Sequence, residues 1–304
     1  MRKSILALAI LALVAAACAP EETTPSTGPS EPTGSGEMTA AECADAHAAD
    51  FFAAGTLTIG ADQPAFQPWF AGTGTYSDWE ADPDFGVGNP ASGEGFESEV
   101  AYAVADLLGF SADQVTWVPL DFNQAIKPSP KDFDFYVGQV EYLPERAEAV
   151  TFSDGYYEVS QALVVRKGSP LADATTLAEL KPYKLGAQVG TTSFNAIEDQ
   201  IQPDQEISVF NQSVDVLQAF NNRQIDGYVV DAPTAYVNVL IQDVKNGVVV
   251  GQLPSTGGYF GLVLDQGNTL VDCLNIAIGE LQADGTLASL EEQYLGDVTF
   301  PVFE

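Results

Sequence analysis

Apolar and polar positions along the chain alternate between a two-residue and a 3.6-residue period, and the alternation runs through the same cycle twice. Leu57–Ala61 is an unbroken run bounded by Gly55 and Asp62 and reads as a buried strand. Phe96, Val100, Val104, Leu107 and Leu108 recur at helical spacing, Val115–Val118 is strand-like, and Phe133–Val137 follows as another strand. This is a β-α-β pattern with a parallel sheet. Beyond Ala162 the cycle restarts: strand Leu185–Gln188, helix Thr191–Ile201, strand Ile207–Phe210, helix Val214–Asn221, strand Tyr228–Val230 and helix Ala232–Ile241. Gly258–Leu264 then reads as a strand returning to the first group, with helices Asn268–Ala283 and Thr286–Tyr294 split at Gly285. Ahead of all this, Thr39 and Glu42 have capping-box spacing and start a helix over about Ala40–Ala53. The pattern predicts two α/β lobes, residues 38–160 plus 257–304 and residues 161–256. The chain crosses between them near Tyr157–Ala162 and near Ser255–Tyr259, and two crossings make a hinge.

Two stretches fall outside that rhythm. Residues 1–17 begin with Arg2 and Lys3, continue in an apolar run from Ile5 to Val14 and end in small residues, which is the pattern of a secretion signal and too short for a membrane span. Ala15-Ala16-Ala17-Cys18 resembles the lipobox of bacterial lipoproteins, implying a lipid on Cys18 and anchorage to the outer face of the cytoplasmic membrane. Residues 18–37 lack aromatic and branched aliphatic side chains and are expected to be a disordered tether. Gly72–Gly93, rich in Gly and Asp and carrying Tyr76, Trp79 and Phe85, reads as a surface loop.

Charge narrows the function. Against 11 basic residues stand 43 acidic ones, a net of −32, and loss of the leader removes two of the bases. Nucleic-acid binding, which rests on basic side chains, is excluded. No Gly-Lys pair occurs for a P-loop and no G-x-G-x-x-G follows a strand, so nucleotide cofactors are not expected. One histidine, His47, leaves no Ser-His or Cys-His pair and no His-rich metal site. Cys43 and Cys273 remain once Cys18 is modified; export puts them in an oxidising place, where an even pair is expected to bridge.

In a chain so poor in bases, Arg146 stands out. Pro144 suits the first turn of a short helix and Glu145 its positive end, so Arg146 projects from a fixed place with a planar fork that matches a carboxylate. A surface pair with Glu145 or Glu148 is the plainer alternative. Gly190-Thr191-Thr192 lies between strand and helix, where free N–H groups attract an anion, though a Thr cap accounts for it equally. Ligands of open α/β sheets gather at strand ends, and the end of Phe133–Val137 meets Gly138, Gln139 and Glu141; Leu57–Ala61 delivers Asp62, Phe66 and Trp69 into the turn after it, and Gln188 and Asp231 close strands of their own. Asp231 also suits the N-cap of the helix that follows it.

The segments GEGFESEVAYAVADLLGF (93–110), PERAEAVTFSDGYY (144–157), QVGTTSFNAI (188–197), DGYVVDAPTAYV (226–237) and LQADGTLASLEEQYLG (281–296) occur in one order. In this they resemble the family-3 extracellular solute-binding proteins that serve ABC importers of polar amino acids. The resemblance implies a periplasmic-binding-protein-like (type II) α/β fold, with two lobes joined by a two-stranded hinge and a ligand cleft between them. It implies a monomer without cofactor or enzymatic activity, working with ABC permease subunits. Arg146 with the N–H groups and hydroxyls of Thr191 and Thr192 would hold a ligand's α-carboxylate and Asp231 its α-ammonium. Phe66 would pack on it, and Asp62, Gln139, Glu141 and Gln188 would read a side chain that is cationic, or else an amide. Gln139 and Glu141 replace small or hydroxylated residues of the family. A cyclohexadienyl-dehydratase-like enzyme, for which Glu141 would be an extra acid, and a ligand-sensing receptor are the alternatives.

Overall fold

Each apolar run becomes a strand of one of two five-stranded mixed sheets in the computed structural model, which describes residues 38–76, 86–128, 130–241, 243–296 and 298–304. The secretion signal, Cys18 and its tether, and the insertion aromatics Trp79 and Phe85 lie outside the described residues. The first sheet has the order β2-β1-β3-β10-β4, built from β1 (Leu57–Ala61), β2 (Val115–Pro119), β3 (Phe135–Tyr136), β4 (Thr151–Glu158) and β10 (Tyr259–Leu264). β1 runs parallel to β2 and β3, with Ile59 opposite both Trp117 and Phe135, whereas β10 is antiparallel to β3 and β4.

The second sheet, β7-β6-β8-β5-β9, has the same design: β5 (Gln161–Arg166), β6 (Leu185–Gln188), β7 (Ser208–Phe210), β8 (Gly227–Asp231) and β9 (Gly247–Gln252). β6 is parallel to β7 and β8, and β5 is antiparallel to β8 and β9. β4, β5 and β9 are strands that the apolar pattern does not set out; the short Val-rich run of β9 is only half-buried at most positions.

Ten α-helices accompany the strands: α1 (Ala40–Ala46), α2 (Phe96–Leu107), α3 (Phe122–Ala125), α4 (Pro144–Ala147), α5 (Leu177–Leu180), α6 (Thr192–Ala196), α7 (Ser213–Asn221), α8 (Ala232–Leu240), α9 (Leu270–Ala283) and α10 (Thr286–Tyr294). α1 starts where the capping box places it, the Thr39 hydroxyl accepting the Glu42 N–H at 3.2 Å and the Glu42 carboxylate accepting the Thr39 N–H at 3.0 Å. It stops seven residues short of Ala53, at His47, whose ring bonds Asp50 at 2.9 Å in a turn. Asp134 then accepts the N–H groups of Phe52 and Thr58, each at 2.6 Å, and holds the chain on course into β1. The helix expected over Thr191–Ile201 changes pitch midway, α6 passing into a π-helical turn at Ile197–Ile201.

The last residues depart from expectation. The Phe303 N–H donates to the Gln252 carbonyl of β9 at 2.9 Å, the Pro301 carbonyl accepts from the Gln252 N–H at 2.8 Å, and the Phe303 ring packs with Leu163 and Leu253 in the second core. Leu295 still belongs to the first core, so residues 298–304 add a third connection between the sheets rather than staying with the first. Burial of Val298, Phe300 and Phe303 drives it.

Cys43 on α1 and Cys273 on α9 are bonded, with Cα atoms 5.3 Å apart and a sequence separation of 230. The third sulfur-side neighbour, His47, makes no metal site with them while both sulfurs are in the bond. Closing so long a loop is expected to stabilise by about 2–5 kcal/mol. Urea unfolding with and without a dithiol reductant measures this. Coincident midpoints would mean that α1 docks without help from the bridge.

Candidate ligand-binding cleft

The carboxyl ends of β1, β3, β6 and β8 all point into the space between the sheets, which is how open parallel sheets build a site. Two adjoining cavities of about 70 Å³ each occupy it. They share Asp62, Gln139, Gln188, Thr191 and Asp231, so they are compartments of one cleft. The first extends to Phe66, Phe70, Val216 and Leu217; the second contains Gly138, Arg146 and Thr192.

Among the described residues, Arg146 is the only base that lines the cleft. Its helix α4 has four residues, Pro144 in its first turn as the local sequence requires, and the side chain is 6% exposed. Nη1 donates to the Glu141 carbonyl at 2.6 Å and Nη2 to the Gly190 carbonyl, across the cleft, at 2.7 Å. The Phe122 ring lies 5.5 Å from the guanidinium carbon. No carboxylate comes within 4.0 Å of it among the described residues. Burial lowers its pKa to about 10, which leaves it charged at neutral pH. Two of five donors are used, so this is a buried cation with donors to spare, touched by no carboxylate among the described residues although Glu141 and Glu145 act on it from farther away.

Asp231 faces it from the second lobe as both N-cap and cleft wall. Its Oδ1 accepts the Thr234 N–H at 3.0 Å, and burial pushes the carboxyl up to about 6. Asp62 ends β1; Oδ1 takes the N–H groups of Gln63 (3.0 Å) and Phe122 (3.1 Å), and desolvation raises its pKa to about 7. Gln139 sits in the left-handed region at φ 50°, a conformation that costs a non-glycine residue energy and needs support. Glu97 supplies it, accepting the Gln139 N–H at 2.7 Å and its side-chain amide as well. Gly138 precedes it because a Cβ there would lie 2.7 Å from the Tyr136 hydroxyl.

Glu97 is a functional position that the sequence reading passes over. At the second residue of α2 an acid suits the positive helix end, which hides a second role. It is fully buried, accepts the Tyr156 hydroxyl at 2.5 Å, and burial lifts its pKa to about 7. Thr234, Ser213 and Gln161 were likewise unmarked, each an ordinary polar residue near a helix start or strand end. Ser213 bonds Gln188 at 2.5 Å, and Gln161 holds Ser193 at 2.7 Å.

Two expected ligand contacts are displaced. Trp69 lines neither compartment: its ring is wholly buried against Phe96, Tyr157 and Phe260, where its apolar area is best satisfied. Glu141 turns away into a separate cavity of about 280 Å³ beside the crossings, hydrogen-bonded to the Thr192 side chain. Its carboxylate occupies the space over Gly258, where a Cβ would stand 1.8 Å from Oε1. The threonine hydroxyls are also committed: Thr191 accepts from Phe194 N–H at 3.2 Å and donates to the Gln188 carbonyl at 2.8 Å, while Thr192 is held by Gln161 and Glu141. Only the amides at the start of α6 are left to face an anion.

Asp62, Glu97 and Asp231 have folded-state pKa values above those of an unfolded chain. Protonation therefore favours the folded state, and stability falls as pH rises from about 4 to 7, through the unfolded and then the folded values. Ligand-free protein is expected to melt at higher temperature at pH 5 than at pH 8. Equal melting temperatures across that range would show that these carboxyls are better solvated than their burial implies.

The family model for bacterial extracellular solute-binding proteins, family 3, matches residues 80–297. A glutamine-binding protein of an ABC transporter from Bacillus subtilis (strain 168) is 27% identical over 222 residues, covering 69% of this chain and 77% of the relative. Arginine-binding protein 1 of an Escherichia coli (strain K12) ABC transporter is 27% identical over 207 residues, 66% of this chain and 81% of the relative. Among solved structures, an ancestral arginine-binding protein bound to arginine superimposes with a TM-score of 0.64 at 28% identity, covering 80% of this chain and 99% of that one. The two sheets, the cleft between their strand ends and the matched length place this chain in the family-3 bacterial extracellular solute-binding proteins.

Proposed function

We propose that the protein captures a free L-amino acid between its lobes and delivers it to an ABC permease, with the α-carboxylate on Arg146 and the α-ammonium on Asp231. The observation that carries this is the buried Arg146 guanidinium with no carboxylate within 4.0 Å among the described residues. Buried charges need partners, and a ligand carboxylate supplies one. The amides of Thr191 and Thr192 would add donors, Phe66 an apolar wall, and Asp62, Gln139 and Gln188 the contacts to the side chain. Lipidation of Cys18, after removal of residues 1–17, would tether a monomeric domain at the outer face of the cytoplasmic membrane. No helix among the described residues is long and apolar enough to cross one.

Among the described residues, the side-chain end of the cleft carries Asp62 and the cleft has no base besides Arg146. A second ligand carboxylate there would meet a like charge, costing about 4 kcal/mol at 4 Å in an effective dielectric of 20. Aspartate and glutamate should therefore bind poorly, cationic side chains best, and amides next. A glutamine-binding and an arginine-binding relative support an amide or a cationic side chain without ranking the two. Competition for a bound fluorescent reporter tests it: glutamate displacing the reporter more strongly than arginine and glutamine would mean that the side-chain contacts are misassigned.

We read the protein as a binder rather than an enzyme. The acid that favours dehydratase chemistry, Glu141, lines the other cavity. Incubation with prephenate or arogenate should give no aromatic product.

A further inference from the structure

We infer that Trp69 is a positioning residue, clasping the closed lobes and fixing Asp231 through Thr234. The inference rests on the proposed role of Asp231 as the ligand's ammonium acceptor. Trp69 belongs to the first lobe, where its ring is wholly buried in an aromatic cluster, yet its indole N–H leaves that cluster and donates to the Thr234 hydroxyl of the second lobe at 2.7 Å. Thr234 is the third residue of α8, and its N–H bonds Asp231 Oδ1 at 3.0 Å. The Thr234 side chain favours the charged form of that carboxyl, against the rise that burial causes.

The order of donors has a physical logic. An indole N–H can only donate, so the hydroxyl it reaches is left to turn its own proton elsewhere, and the Asp231 carboxylate is the acceptor at hand. A phenylalanine in place of Trp69 would keep an aromatic ring in the core, though a smaller one, and supply no donor. Opening the lobes separates Trp69 from Thr234, so the arrangement that aims Asp231 is complete only when the cleft is shut. That couples closure to the quality of the ammonium site.

The full-length protein with L-arginine and L-glutamine as probes tests this in two ways. For Trp69→Phe and Thr234→Val, dissociation should speed up about tenfold with association little changed, as expected for loss of one hydrogen bond that acts on a charged group. Thr234→Ser should restore wild-type rates, which a merely steric role of Thr234 would not. The second reading needs no ligand affinity. The chain has three tryptophans, so the indole N–H signals of 15N-labelled protein can be assigned by substitution. The Trp69 signal should shift, and exchange its proton faster, in Thr234→Val but not in Thr234→Ser. Wild-type rates in Trp69→Phe, or a Trp69 signal indifferent to Thr234→Val, would overturn the clasp. A wild type that binds neither probe while the signal responds as described would instead contradict the amino-acid reading and leave the clasp supported.

Discussion

Arg146→Ala is expected to abolish amino-acid binding while leaving the fold intact. Inside a closed cleft the ligand carboxylate would lose its one cationic partner, and breaking a buried pair costs about 3–5 kcal/mol, a loss of more than about a hundredfold in affinity. The effect on the protein alone has the opposite tendency. Arg146 is held by two backbone carbonyls and one ring, without an ionic partner among the described residues, so its removal relieves a desolvated charge. The ligand-free melting temperature should stay level or rise, and the increment caused by ligand should vanish. Arg146→Lys keeps the charge but not the fork and should fall between. An Arg146→Ala protein that binds within threefold of wild type would sink the assignment.

Asp231→Asn separates two jobs that one side chain performs. Asparagine caps a helix about as well as aspartate, and its oxygen can still accept the Thr234 N–H, so α8 should be as stable as before. The negative charge that would meet the ligand's ammonium is gone. Loss of one side of a buried charge pair costs roughly 2–5 kcal/mol, so titration calorimetry should show affinity falling by about two orders of magnitude, with the ligand-free unfolding midpoint level or raised. Were the midpoint to drop and affinity to hold, Asp231 would be a cap and nothing more.

The positions of individual strands and helices were legible because they depend on local apolar runs and their flanks. Leu57–Ala61, Leu185–Gln188 and Thr286–Tyr294 lie where the pattern puts them. The site was legible only as far as a residue's position along the chain determines the direction of its side chain. Arg146, Asp231 and Asp62 follow directly from strand ends and a proline-started turn. Glu141 and Trp69 do not, since each is steered by a partner distant in sequence. Gly258 opens the space that the Glu141 carboxylate fills, and a ring of Phe96, Tyr157 and Phe260 keeps Trp69 in the core. Glu97 was hidden for another reason: a helix start explains an acid so well that nothing prompts a second explanation. The short tail 298–304 escaped because no periodicity can be read from seven residues.

Capture of a free amino acid requires both of its backbone charges to be held in the cleft. Titration calorimetry of ligand-stripped protein with L-arginine, its C-terminal amide and its Nα-acetyl derivative measures this directly. The predicted result is tight binding of L-arginine and no detectable heat from either derivative, because one lacks the carboxylate for Arg146 and the other the ammonium for Asp231. Binding of the amide or the acetyl compound as tight as that of L-arginine would contradict it.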